Sequence, residues 1–167
     1  MARSFEVTTS NRSPVAEVRA AFGQRLYWLK RLEVYGGDSM SLDALTVADD
    51  GTIEVVSTQD MRRGALPAVI AKALPADFAL LRTEVWRPMS GELLRGDIRI
   101  DASGVRGRAR GTADVTPEAD GSCMRFSGTV EVGVPVLGGQ IEKYIAAEIV
   151  KQIPGVGRFT DDWIANR

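Results

Sequence analysis

The sequence predicts an α+β chain, in which a curved antiparallel sheet of about seven strands wraps around one long C-terminal helix. Two short helices follow the first strand. Three observations carry this reading. Between residues 39 and 134, short segments rich in strand formers follow one another, separated by turn signals. Strands so closely spaced pair antiparallel, because parallel neighbours need long crossovers. Only the stretch 139–166 is long enough to cover the apolar face of such a sheet.

Each element follows from local pattern. Ser4-Phe5-Glu6-Val7-Thr8 alternates and gives a strand over 3–9. Ser13-Pro14 opens a helix over 14–22, with Ser13 as N-cap and Val15, Val18, Ala21 and Phe22 on one face. Gly23 ends it, and 24–33 form a second short helix before Gly36-Gly37. Strands at 39–47 and 52–60 are joined by the turn Ala48-Asp49-Asp50-Gly51. Residues 61–76 break the alternation. There Pro67 and Pro75 bracket a short helix or lid at 68–74, with Leu66, Val69 and Ile70 placed to cover a cavity mouth. Strands at 78–87, 92–101, 107–116 and 123–134 complete the sheet. Gly138-Gly139 opens the helix 139–166, interrupted at Pro154-Gly155.

Composition bounds the chemistry. The 167 residues suit one domain, 1–167. The chain has 21 basic and 22 acidic residues, a net charge of −1, which argues against a dedicated nucleic-acid binder. It has no histidine, and Cys123 is its one cysteine. These counts exclude histidine triads, Cys–His dyads, Cys/His zinc sites and an intrachain disulfide. Residues 1–10 carry Arg3 and Glu6 and no apolar core, so they do not read as a signal peptide. No apolar run approaches the roughly 20 residues of a membrane helix. A single thiol without an export signal points to the cytoplasm.

Alternation assigns the strand faces. Leu94, Gly96, Ile98 and Ile100 face in, followed by Ala109, Gly111, Ala113 and Val115, then Met124, Phe126, Gly128 and Val130. Gly96, Ala109, Gly111, Ala113 and Gly128 are very small. Either the glycines bend the sheet and let the helix sit close, or they leave volume for a ligand. On the helix, Ile141, Ile145, Ile149, Gln152, Val156, Phe159 and Trp163 share a face. Glu148 and Gln152 lie near its middle and Tyr144 at its edge. A carboxylate in a dry core is costly, so Glu148 either lines a wet cavity or reaches its rim. Strand 78–87 is two-sided: Leu81 and Val85 favour one face, Phe78, Leu80 and Trp86 the other. If the latter faces in, Arg82 and Glu84 come with it. Arg82 then pairs with Glu148 or meets an acidic ligand head group.

The remaining motifs carry little chemistry. Gly133 to Gly139 lacks phosphate-loop spacing. Asp49-Asp50 reads as a hairpin turn, Asp161-Asp162 as a solvated helix face, and Cys123 as a thiol without a base. Arg95, Arg99, Arg106, Arg108, Arg110 and Arg125 point away from the core, balanced by Asp97, Asp101, Asp114 and Glu131. The alternative is an anionic partner docked at Arg106, Arg108 and Arg110.

This order of elements resembles the helix-grip fold of the START and birch-pollen-allergen (SRPBCC) superfamily, which includes polyketide cyclases and lipid-transfer domains. The resemblance spans nearly the whole chain. Thr58-Gln59-Asp60, Thr83-Glu84-Val85-Trp86-Arg87-Pro88, Gly138-Gly139-Gln140-Ile141-Glu142-Lys143 and Arg158-Phe159-Thr160-Asp161-Asp162-Trp163-Ile164 resemble an actinobacterial family of unknown function within it. The resemblance implies a hydrophobic cavity between sheet and helix, and no particular reaction. The expected function is to carry or sense a small hydrophobic or lipid-like molecule, with no catalytic residue, metal or cofactor. The expected contacts are Arg82, Trp86, Leu94, Ile98, Met124 and Phe126 from the sheet, and Tyr144, Ile145, Glu148, Gln152 and Phe159 from the helix. Two alternatives stand beside it. One is a cyclase/aromatase-like enzyme that uses Glu148, Tyr144 and Arg82. The other is a protein-interaction domain with a filled core.

Overall fold

The computed structural model describes residues 2–61 and 66–167. Strand β1 (Arg3–Asn11) leads into helices α1 (Val15–Phe22) and α2 (Arg25–Gly36), then β2 (Met40–Val47) and β3 (Ile53–Asp60). The short helix α3 (Ala68–Ala73) precedes β4 (Ala79–Pro88), β5 (Leu94–Ala102), β6 (Gly107–Glu118) and β7 (Gly121–Val132). Helix α4 (Gly138–Ala165) ends the chain. The strands form one antiparallel sheet of seven, in the order β1-β7-β6-β5-β4-β3-β2. This is the expected helix-grip architecture. Of the lid segment, residues 62–65 lie outside the described residues.

Three local expectations are corrected. Pro14, not Ser13, precedes the first helical residue of α1, and no side chain caps that end. The Ser13 hydroxyl instead donates to Asp161 Oδ1 at 2.7 Å. Asp161 is therefore not on a solvated face. It is buried, and its carboxylate also accepts the backbone N–H groups of Arg12 (2.9 Å) and Ser13 (3.1 Å). Three donors replace the water that the charge lost. Finally, α4 runs through Pro154 without a break.

The glycine reading is also corrected. Cross-strand register stacks the inward residues into rows, and aromatic rings lie over the small ones. Trp86 faces Gly96 across β4 and β5, with ring carbons 2.6 Å from where a Cβ would stand. Phe126 lies over Gly111. Phe5 covers Gly128, 2.9 Å from its Cβ position, and meets Phe126 edge-on with centroids 5.1 Å apart. Phe22 packs on Trp86 at 4.8 Å. The rows Val55–Glu84–Ile98–Gly111–Gly128–Phe5 and Ile53–Trp86–Gly96–Ala113–Phe126–Val7 are thus filled. Glycine here makes room for a neighbour's ring, as dense packing requires.

On the outer face, three of the six stripe arginines pair with the acidic residues expected to balance them, Arg125 pairs with Glu6, and Arg99 and Arg106 make no ion pair among the described residues. Arg95 meets Asp114 (2.8 Å), Arg110 meets Asp101 (2.6 Å), Arg108 meets Glu131 (3.1 Å) and Arg87 meets Asp97 (2.8 Å). No described helix is long and apolar enough to cross a membrane.

Candidate functional site

Helix α4 packs chiefly against β1 and β7, at one side of the curved sheet. The concave face of β3 to β6 is left to other cover, and there the filling stops. The row Ser57–Arg82–Ile100–Ala109–Val130 and its neighbours Gln59, Leu80 and Ala102 border a cavity of about 640 Å³. Helix α4 supplies Ile141, Tyr144, Ile145, Glu148, Ile149 and Gln152 as the facing wall. The end of α2 adds Val34 and Tyr35, while Leu66, Ile70, Leu74 and Phe78 close the side towards α3. Ile70 and Phe78 are buried; Val34 is 63% exposed and lies at the rim. Val69 is 58% exposed and faces away from the cavity, contrary to the lid expectation.

The expected contact residues divide sharply. Arg82, Tyr144, Ile145, Glu148 and Gln152 line the cavity. Trp86, Ile98, Met124 and Phe126 do not: they stand around a separate hollow of about 30 Å³. Leu94 is fully enclosed in the core. Phe159 packs against Tyr27 and Tyr35, at 5.6 and 6.5 Å. Residues that sequence reasoning missed include Ser57, Gln59 and Tyr35 in the cavity and Tyr27 and Arg31 beside it. Ser57 continues the inward alternation of Ile53 and Val55. Arg31 stands four residues from the buried Tyr27, on the same face of α2.

The inner face of β4 is resolved: Arg82, Glu84 and Trp86 point inward, as does Phe78 just before the strand, while Leu81 is exposed. Arg82 borders both the cavity and the smaller hollow. The expected Arg82–Glu148 ion pair is absent among the described residues. Burial pushes the Arg82 guanidinium below its ordinary pKa; the charge of Glu84 opposes that and the charge of Arg31 adds to it. Its Nε is buried without a hydrogen-bond partner, as are Trp86 Nε1 and Asn11 Oδ1. Arg31 is better held. It donates to the Tyr27 hydroxyl at 3.5 Å and lies over the Trp28 ring at 4.7 Å. The Tyr27 and Thr160 hydroxyls are 2.7 Å apart, and Thr160 donates on to Val156 O. On α4, burial raises the Tyr144 pKa and the charge of Glu148 raises it further. Burial and Glu118 likewise raise Cys123, which leaves its thiol protonated at neutral pH.

A family model described as "Protein of unknown function (DUF2505)" matches residues 6–164. The chain belongs to this family. Similar to this DUF2505 chain is the uncharacterized protein Rv0481c of Mycobacterium tuberculosis, 32% identical over 172 aligned positions that cover 99% of each chain. The uncharacterized protein Mb0491c of Mycobacterium bovis aligns to the same extent. Among solved structures, TTHA0849 of Thermus thermophilus superposes with a TM-score of 0.57 at 14% identity, covering 98% of this chain and 97% of its own. The crystal structure of Ara h 8.0201 gives 0.56 at 12% identity and covers all of both chains. These likenesses establish for the DUF2505 chain the fold shared with the pollen-allergen-like proteins.

Proposed function

We propose that this chain binds a small hydrophobic molecule, as a carrier or sensor, in the cavity between the sheet, α3 and α4. The observation that carries the reading is a volume of about 640 Å³ with mainly aliphatic walls, set beside rows that are otherwise filled by aromatic rings. That volume falls in the range of small-molecule sites, roughly 300–1,000 Å³. Ile100, Val130, Ile145 and Ile149 supply apolar surface, and each CH₂ group buried there contributes about 0.8 kcal/mol. Ser57, Gln59, Arg82, Tyr144, Glu148 and Gln152 interrupt these walls and can orient what the apolar surface holds.

The test is titration with N-phenyl-1-naphthylamine, a neutral dye whose emission rises in apolar surroundings. Wild type is expected to bind it. Ala109→Trp, which fills the middle of the sheet wall, is expected to abolish binding while the far-UV circular dichroism stays unchanged. Absence of binding to wild type, or undiminished binding to a folded Ala109→Trp, refutes the reading.

A further inference from the structure

We infer that the molecule held in this cavity is an amphiphilic monocarboxylate whose head group sits on Arg82 at the cavity floor. This rests on the binding function proposed above and adds the charge and orientation of the ligand.

The argument begins with interior charge. Arg31, Arg82 and Glu84 line one small hollow between α2 and β4, two guanidinium groups against one carboxylate. Arg31 has the Tyr27 hydroxyl and the Trp28 ring, while Glu84 faces both guanidinium groups without a hydrogen bond or ion pair to either. Arg82 makes no hydrogen bond or ion pair among the described residues, and its Nε is buried and unpartnered. Arg82 is half-buried and opens onto the cavity. A cation held partly out of water without a partner is costly, and an anion that meets it relieves that cost. One unmatched positive charge calls for one negative charge. A carboxylate fits the planar fork of a guanidinium, and the pair gains strength where water is excluded.

Geometry sets the direction. Beyond Arg82, towards Glu84 and Ile98, only the hollow of about 30 Å³ remains, so Arg82 marks the closed end of the cavity. Ser57, its register partner on β3, borders the same space and offers a hydroxyl beside the head group. From there the aliphatic walls run towards Ile70 and Leu74, the natural course for a hydrocarbon tail. The other charges that border the cavity do not compete for the head. Arg108 is 61% exposed and paired with Glu131, and Glu33 is paired with Lys30 at 3.1 Å. Glu148, on the opposite wall, repels an anion and favours the floor.

The experiment is displacement of N-phenyl-1-naphthylamine by dodecanoic acid and by 1-dodecanol, which differ only in the head group. In wild type the acid is expected to compete at a concentration at least tenfold below that of the alcohol. The ratio should fall towards one in Arg82→Met, survive in part in Arg82→Lys, and stay unchanged in Arg108→Met. If the dye binds but acid and alcohol compete equally, or neither competes, the inference is wrong and the cavity reading stands. Retention of the acid preference by a folded Arg82→Met also overturns it. Should Arg82→Met not fold, the wild-type ratio and the Arg82→Lys and Arg108→Met ratios decide. If the dye fails to bind wild type, the cavity reading itself falls.

Discussion

Trp86 lies over Gly96: its ring carbons Cε3 and Cζ3 stand 2.6 Å from the Cβ position of the glycine, across the β4–β5 ladder. Any side chain at residue 96 must displace the indole, which is itself wedged against Phe22. Gly96→Ala is expected to cost about 1–3 kcal/mol through overpacking. Urea unfolding checks this, and a variant as stable as wild type would show that the ring moves freely.

Arg82 and Glu84 lie two residues apart on β4 and should respond to substitution with opposite signs. Arg82→Met removes the unpaired charge and leaves Glu84 with Arg31, so thermal stability should hold or rise. Glu84→Gln leaves Arg31, which is buried, and Arg82, which is half-buried, without an opposing carboxylate and should cost about 1–3 kcal/mol. Calorimetry of both variants tests the pair. A loss in Arg82→Met as large as that in Glu84→Gln would contradict the charge count.

Asp161 ties the β1–α1 loop to α4 through three donors, from Arg12 and Ser13. Asp161→Ala leaves those donors unmatched in a buried setting and should cost at least about 2 kcal/mol. Hydrogen exchange should show the loss of protection at the Arg12 and Ser13 amides first.

Tyr27 predicts the alkaline limit of the fold. Burial raises its pKa above the ordinary value of about 10, against the opposing effects of Arg31 and Thr160. The folded state therefore holds the phenolic proton more tightly than the unfolded chain does. Its contribution is complete below about pH 10 and is lost as pH rises from there through the folded-state value. Wild type should lose stability steeply above that point. Tyr27→Phe should start lower at neutral pH, without its bond to Thr160, and fall less steeply in alkali. Urea midpoints measured from pH 8 to pH 11 report both effects.

Much of this molecule is legible along the chain. The meander of strands, the turns at Gly51, Gly91 and Gly104 and the length of α4 follow from period, breakers and apolar spacing, which act within a few residues. Arg95, Arg108 and Arg110 and their acidic partners were readable for the same reason, since each pair sits side by side across neighbouring strands.

The location of the cavity was not readable in this way. Alternation identifies Gly96, Gly111 and Gly128 as inward, but it does not say which ring from a neighbouring strand lies over them; register decides that, by pairing residues far apart in sequence. The same limit applies to Ser13 and Asp161, a hydrogen-bonded pair separated by nearly the whole chain. It applies also to β4, where two-sided patterning left the facing of Arg82 and Glu84 open. Local sequence determined the elements and their order. Tertiary packing decided which small residues are covered, where volume remains and which inward charge lacks a partner, because each of these depends on contacts between distant segments.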